Sequence, residues 1–290
     1  MKHVFEDKNL RFKYPKSNEE TIKGVSFSVE EGKIIGLLGP SGAGKSTTQK
    51  ILIKLINDYE GEILYNGKNL KSYNKAFYEE VGVGFEMPVH FNKLTAVQNL
   101  KYFSSLYKKN IDYIELLKKL NLGDDMHKEV GQFSKGMKVR LNFARALLND
   151  PKVLFLDEPT AGLDPTNARI IKDLILDFKN KGNTVFITTH LMGDVEQLCD
   201  EVIFIRKGEI TEKSTPRDLK LKYGTKEVML EYQNNSKTEK KNFLMEGLGN
   251  NQDFLNLIKN VELETIHSGE TSLEDIFIKV TGDSKYEWFI

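Results

Sequence analysis

Gly39-Pro40-Ser41-Gly42-Ala43-Gly44-Lys45-Ser46-Thr47 follows the phosphate-loop pattern of two spaced glycines, a lysine and a hydroxyl. The glycines let backbone N–H groups turn inward around an anion, and a following helix adds its positive N-terminal end. In that pattern Lys45 reaches the β- and γ-phosphates of a nucleotide and Ser46 holds Mg²⁺. The mechanism needs a strand before the loop and a helix after it. The run Ile34-Ile35-Gly36-Leu37-Leu38 supplies the strand, and the helix is predicted from about Lys45 with Ile51, Leu52 and Leu55 on its inner face. A plain glycine-rich turn would need neither.

Downstream the same alternation repeats. A helix carrying Leu141, Ala144 and Leu148 leads into Val153-Leu154-Phe155-Leu156, a buried-strand run, which ends on Asp157 and Glu158. A second helix, with Ile170, Leu174 and Phe178, precedes the strand Thr184-Val185-Phe186-Ile187-Thr188, then Thr189 and His190. Strands alternating with helices predict an α/β fold on a parallel sheet with right-handed crossovers. Ligands bind at the C-terminal ends of such strands. A carboxylate there, Asp157, suits Mg²⁺, and its neighbour Glu158 suits orienting or deprotonating an attacking water. A solvated acidic pair is the plainer reading of the two carboxylates, and a satisfied hydrogen-bonder that of His190. The upstream phosphate loop favours the chemical one for the carboxylates, and the shared face places His190 near a γ-phosphate.

The flanks complete the organisation. Val25, Phe27 and Val29 alternate as a strand, Gly61 to Leu70 reads as a hairpin turning at Asn66-Gly67, and a helical block is expected from about Thr95 to Leu122. Near Leu221 the pattern changes. Val228-Met229-Leu230 is strand-like, Gln233 to Lys241 reads as an exposed loop, and Phe243 to Ile258 and Leu273 to Val280 read as short helices. Residues 223–290 are therefore expected to form a small α+β appendage on a main domain of residues 1–222, whose helical subdomain covers about 87–150.

Composition narrows the function classes. Lys+Arg and Asp+Glu both number 42, so there is no basic excess of the kind that draws nucleic acid. Cys199 is the lone cysteine, so no internal disulfide forms; a cytosolic setting and a buried, apolar role for this residue are expected. No apolar run approaches the ~20 residues of a membrane span, and Met1 to Phe12 carries no signal-peptide core. A membrane process would need its span from another chain.

Phe133-Ser134-Lys135-Gly136-Met137 lies between the phosphate loop and the acidic pair, and Arg140, Ala144, Arg145, Ala146 and Leu147 follow it. Together with Asp157-Glu158-Pro159-Thr160, Ala161-Gly162-Leu163-Asp164-Pro165 and Thr189-His190, this order resembles the ATP-binding cassette (ABC) family over roughly residues 2 to 222. The resemblance implies a phosphate-loop NTPase cassette hydrolysing ATP with Mg²⁺, and roles follow from it. Tyr14 would stack on adenine, with Phe12 as a rival. Ser134 and Gly136 would bind the γ-phosphate held by a second cassette, and Asp164 would sit across that dimer interface. Lys135 and Met137 depart from the family's usual Gly and Gln.

Glu86, in Gly84-Phe85-Glu86-Met87-Pro88, stands where the family normally has Gln, near Mg²⁺ and the attacking water. A Glu there resembles the cassettes of bacitracin and lantibiotic-immunity exporters. The ending Ser272-Leu273-Glu274-Asp275-Ile276-Phe277, with Val280-Thr281-Gly282, resembles the tail of drug and antibiotic exporters whose permease is a separate polypeptide. The function implied is the ATPase subunit of an exporter for drugs, antibiotics or peptides, a single cassette acting as a dimer on the inner face of the membrane through a separate permease. The alternatives are an ABC ATPase outside transport and an ATP-sensing module. One cassette, without room for an inserted coiled coil between Lys45 and Asp157, disfavours the first, and Glu158 disfavours the second.

Overall fold

Residues 2–87, 89–109, 111–224, 226–234 and 237–282 are described by the computed structural model. In chain order the first unit, Met1–Thr215, contains β1 (His3–Phe12), β2 (Ile22–Glu30), β3 (Ile34–Leu38), α1 (Lys45–Leu52), β4 (Glu60–Tyr65), β5 (Lys68–Asn69), α2 (Phe77–Glu80), β6 (Val81–Gly84) and α3 (Ala96–Ser104). It continues through α4 (Tyr113–Lys119), α5 (Lys135–Ala146), β7 (Val153–Asp157), α6 (Pro165–Asn180), β8 (Thr184–Thr189), α7 (Met192–Leu198), β9 (Glu201–Arg206) and β10 (Glu209–Ser214).

Two sheets divide these strands. The larger has the order β10-β9-β3-β8-β7-β6, with only β10 antiparallel to its neighbour. The smaller, β2-β1-β4-β5, is antiparallel throughout. Their facing sides share one core. Ile35 and Leu37 of β3 and Phe155 and Phe186 of β7 and β8 meet Phe5 and Phe27 from the smaller sheet. The rings of Phe5 and Phe155 lie edge to face at 5.7 Å, and those of Phe27 and Phe186 stack at 6.1 Å. The other face of β3 approaches Cys199 so closely that a Cβ on Gly36 would lie 2.8 Å from its sulfur. Cys199 is buried, as expected, and burial pushes its thiol pKa up.

Several expectations of detail need correction. Helix α1 ends at Leu52, and Leu55 lies beyond it, exposed. The buried face of α6 carries Ile171, Ile175 and Phe178, with Ile170 and Leu174 half-buried. The 3.6-residue period places that stripe one residue further along for two of the three positions.

The second unit, Pro216–Ile290, contains α8 (Pro216–Tyr223), β11 (Lys226–Asn234), β12 (Lys237–Leu244), α9 (Gln252–Asn260), β13 (Glu262–Glu270) and α10 (Leu273–Thr281). Its sheet has the order β12-β11-β13 and is antiparallel. The division falls at 215/216, because α8 packs on α10 and Lys279 Nζ donates to the Tyr223 carbonyl at 3.2 Å. The polar run expected as a loop is largely β12. It is an edge strand that buries Phe243 alone and exposes its lysines, so it lacks the apolar alternation that marks a strand. Phe243 accordingly belongs to β12, and the helix begins only at Gln252.

The smaller sheet of the first unit contains one anomaly. Asp7 of β1 is 3% exposed, and no hydrogen bond of good geometry reaches its carboxyl oxygens, although the backbone N–H groups of Phe27 and of Asp7 itself lie near enough to oppose burial in part. Burial pushes its pKa well above the usual carboxylate range. The folded protein thus holds this proton more tightly than the unfolded chain does. The stability it contributes is full below the unfolded pKa, ~3.9, and is lost as pH rises through the raised folded value. Asp7→Asn removes the titrating group. Its thermal midpoint relative to wild type is therefore expected to rise as pH is taken from 5 to 8. A gap that stays constant with pH in thermal melts would show that Asp7 does not titrate in this way.

Candidate functional site

Parallel register assembles the site. Leu38 pairs with Thr189, Asp157 with Thr188, and Gly84 with Leu156. The strands β3, β8, β7 and β6 are adjacent and end on one edge, so the segments leaving them share that edge. Those segments carry Gly39 to Thr47, His190, Glu158 and Glu86.

The phosphate loop turns from β3 into α1. A Cβ on Gly39 would lie 2.2 Å from the Ile205 carbonyl oxygen, and Gly44 has φ +112° with Ile22 Cδ1 2.7 Å from its would-be Cβ. Only glycine fits either place. Ser41 and Gly42 are exposed at the tip, Pro40 is half-buried and Ala43 is buried, and Ser46 is exposed on the first turn of α1. Lys45 Nζ donates to the carbonyls of Gly39 at 2.7 Å and Pro40 at 3.2 Å. Burial pushes its pKa down, and the charges of Glu158, Asp157 and Glu86 oppose that shift. Three carboxylates therefore act on one ammonium group.

Glu158 is tightly held. His190 Nδ1 lies 2.7 Å from its Oε1, and Thr189 Oγ1 donates to Oε2 at 3.0 Å. Its backbone N–H donates to the Thr188 carbonyl at 2.8 Å, with φ +50°. A left-handed conformation in a residue with a side chain costs about 1 kcal/mol or more, and it turns the carboxylate off the strand. Asp157 is anchored differently, since Thr188 Oγ1 donates to its Oδ1. Sequence reasoning missed both threonine roles. The available signal was a pair of hydroxyls closing an apolar strand.

Tyr14 is exposed, and its hydroxyl lies 3.3 Å from Thr47 Oγ1. Phe12 is buried and packs edge-on against the Tyr14 ring at 4.8 Å. Tyr14 is thus the aromatic open to a ligand beside the phosphate loop. Glu86 is exposed, on a loop that α5 grips. Asn142 Nδ2 donates to the Phe85 carbonyl at 2.7 Å, Arg145 Nη1 donates to the Val89 carbonyl at 2.6 Å, and His90 Nε2 lies 3.0 Å from the Lys138 carbonyl. Burial pushes the His90 pKa down to about 4, so this imidazole is neutral at physiological pH.

Ser134 and Gly136 stand apart from this cluster. Neither hydrogen-bonds to the phosphate loop among the described residues. Ser134 caps α5, its Oγ accepting from the Met137 N–H at 3.2 Å, and it is exposed. Asp164 caps α6, and hydrogen bonds from Asn167 hold its carboxyl below the usual range. Ser134 and Asp164 are thus exposed caps of two successive helices, with no hydrogen bond to the phosphate loop among the described residues.

Residues 22–161 match the ABC transporter family, and residues 226–270 match a family described as the fluoroquinolone efflux ABC transporter C-terminal domain. A fluoroquinolones export ATP-binding protein of Mycobacterium tuberculosis is 47% identical over 281 residues, covering 96% of this chain and 93% of that protein. A lantibiotic transport ATP-binding protein of Streptococcus pyogenes is 37% identical over 203 residues, 70% of this chain and 86% of its own length. Among solved structures, a dimeric ATP-binding cassette in a post-hydrolysis state with ADP and Pi bound is 25% identical. It covers 73% of this chain and 98% of its own length, with a TM-score of 0.66. Among the described residues no helix is long and apolar enough to cross a membrane. The phosphate loop, the acidic pair and these likenesses agree, and the chain belongs to the ABC transporter family as an ATP-binding, ATP-hydrolysing subunit.

Proposed function

We propose that this subunit powers export of a drug-like or peptide antibiotic through a separate membrane permease, on the inner face of the membrane. The observation that carries this reading is the match of residues 226–270, outside the cassette, to a fluoroquinolone-efflux domain, within a chain-length likeness to a fluoroquinolone exporter subunit. The surface supports a membrane partner. Met87 is 80% and Val89 76% exposed, and a few residues along the chain the exposed ring of Phe91 packs against that of Tyr102 at 5.0 Å. Such an apolar patch fits a protein interface. Pro88 lies outside the described residues. Residues 1–222 would hold the nucleotide chemistry, and 223–290 would contribute to dimer or permease contacts.

Two copies would sandwich two ATP molecules. Lys45 and the loop N–H groups of Gly39 to Thr47 would bind the phosphates in one copy, with Tyr14 against adenine. Ser134 and Gly136 of the second copy would close on the γ-phosphate. The donor set fits Mg²⁺: the Ser46 hydroxyl and the Asp157 carboxylate are hard oxygen ligands, and Mg²⁺ prefers one or two protein oxygens plus phosphates. Glu86 adds a further carboxylate to that side. When bound, the ion would neutralise charge on the β- and γ-phosphates. Glu158 would accept a proton from the attacking water, held for this by Thr189 and His190. The carboxylate oxygens keep lone pairs beyond those two contacts.

Glu158→Gln should keep ATP binding and lose at least about 100-fold in turnover, since an amide takes no proton from water. Size-exclusion chromatography in MgATP should then reveal a trapped dimer; retained hydrolysis would remove Glu158 as the base. Lys45→Ala should weaken a fluorescent ATP analogue about tenfold or more with little change in melting, and equal affinity would sink the phosphate-loop assignment. Affinity purification from membranes tests the transport reading itself. Co-purification of a multispanning protein whose loss sensitises cells to fluoroquinolones is expected, and its absence with unaltered sensitivity would count against export.

A further inference from the structure

Gln49 lies on α1, one turn after Ser46, and is 2% exposed. Its Oε1 lies 3.1 Å from the hydroxyl of Thr188, itself fully buried, and that hydroxyl also reaches Asp157 Oδ1. Gln49 Nε2 is buried without a hydrogen-bond partner. One hydroxyl carries one proton and cannot donate to both oxygens. The carboxylate is the stronger acceptor. If the proton goes to Asp157, an amide oxygen facing Thr188 would set lone pair against lone pair. Exchanging the two ends of the amide resolves the conflict, since Nε2 then donates to Thr188 Oγ1 and Thr188 donates to Asp157. The buried donor gains a partner, and the amide oxygen takes the position that has none, where an unpaired acceptor is tolerated better than an unpaired donor.

We propose that Gln49 is a positioning residue for the magnesium site, acting through a relay from the Gln49 amide to the Thr188 hydroxyl to the Asp157 carboxylate. The proposal rests on the assignment of Ser46 and Asp157 as the ion's protein ligands. Residues three apart share a helix face, so Ser46 and Gln49 are fixed to each other by α1. Gln49 thereby ties the helix that carries one ligand to the strand end that carries the other. With Oδ1 tied back to β8, Asp157 Oδ2 would be the oxygen left to hold the ion. A leucine at position 49 would fill the same space and leave the hydroxyl and carboxylate with one fewer restraint.

The test reads metal-dependent nucleotide binding rather than turnover. A fluorescent ATP analogue is titrated onto the full chain in EDTA and then across a Mg²⁺ series. Gln49→Leu and Thr188→Val should each raise the Mg²⁺ concentration for half-maximal enhancement about fivefold, the effect of losing one buried hydrogen bond. Affinity in EDTA should stay within about twofold, because the phosphate loop is untouched. The double variant should shift no further than either single one, since both cut one relay. Thr188→Ser, which keeps the hydroxyl, should return the midpoint to wild type. Melting curves establish folding, and Gln49→Met serves if Gln49→Leu proves unstable. Asp157→Asn separates the two levels of inference. If it leaves the midpoint unchanged, the magnesium assignment itself fails. If it shifts the midpoint while Gln49→Leu does not, or if the single effects add, the relay is overturned. An equal loss in EDTA would make Gln49 merely structural and overturn it as well.

Discussion

Hydrogen-bonded register between parallel strands is the constraint on which everything else rests. Leu38, Thr189, Asp157 and Gly84 end four adjacent strands within about one residue of a common line. The phosphate loop, His190, Glu158 and Glu86 meet only because that line holds. A slip of one residue in β7 would turn Asp157 to the opposite face and put Leu156 or Glu158 in its place. The apolar stacking of Phe5, Phe27, Phe155 and Phe186 prevents such a slip, since it commits each strand's alternation to one side.

Residues whose chemistry is local could be read from the chain. The phosphate loop needs glycines, a lysine and a hydroxyl at fixed spacing, and Asp157 and Glu158 announce themselves by closing an apolar run. What escaped was relational. Gln49 reads as a polar position on a short helix and is buried only because β8 covers it. Thr188 and Thr189 read as strand residues until the neighbouring strand brings carboxylates against them. The choice between Phe12 and Tyr14 depended on burial, which alternation alone could not assign.

In the second unit the failure had another cause. β12 buries one side chain, so almost no apolar pattern exists to be read. Its lysines serve to keep a sheet edge from pairing with other chains, and that demand produces a composition resembling a loop. Helix α10, with Leu273, Ile276 and Phe277 buried, kept a legible helical spacing.

Lys45 satisfies its own loop, through the carbonyls of Gly39 and Pro40. Nucleotide capture at this lysine, as proposed, would consequently be a substitution reaction and not a simple addition. Whatever enters must outcompete two neutral acceptors already in place, and the ammonium must give them up. Dense anionic charge can do so; a weakly charged or singly anionic ligand gains little over the carbonyls it displaces. The same two contacts tie the lysine to the loop it closes, so the preference for dense charge is built into the backbone carbonyls of Gly39 and Pro40.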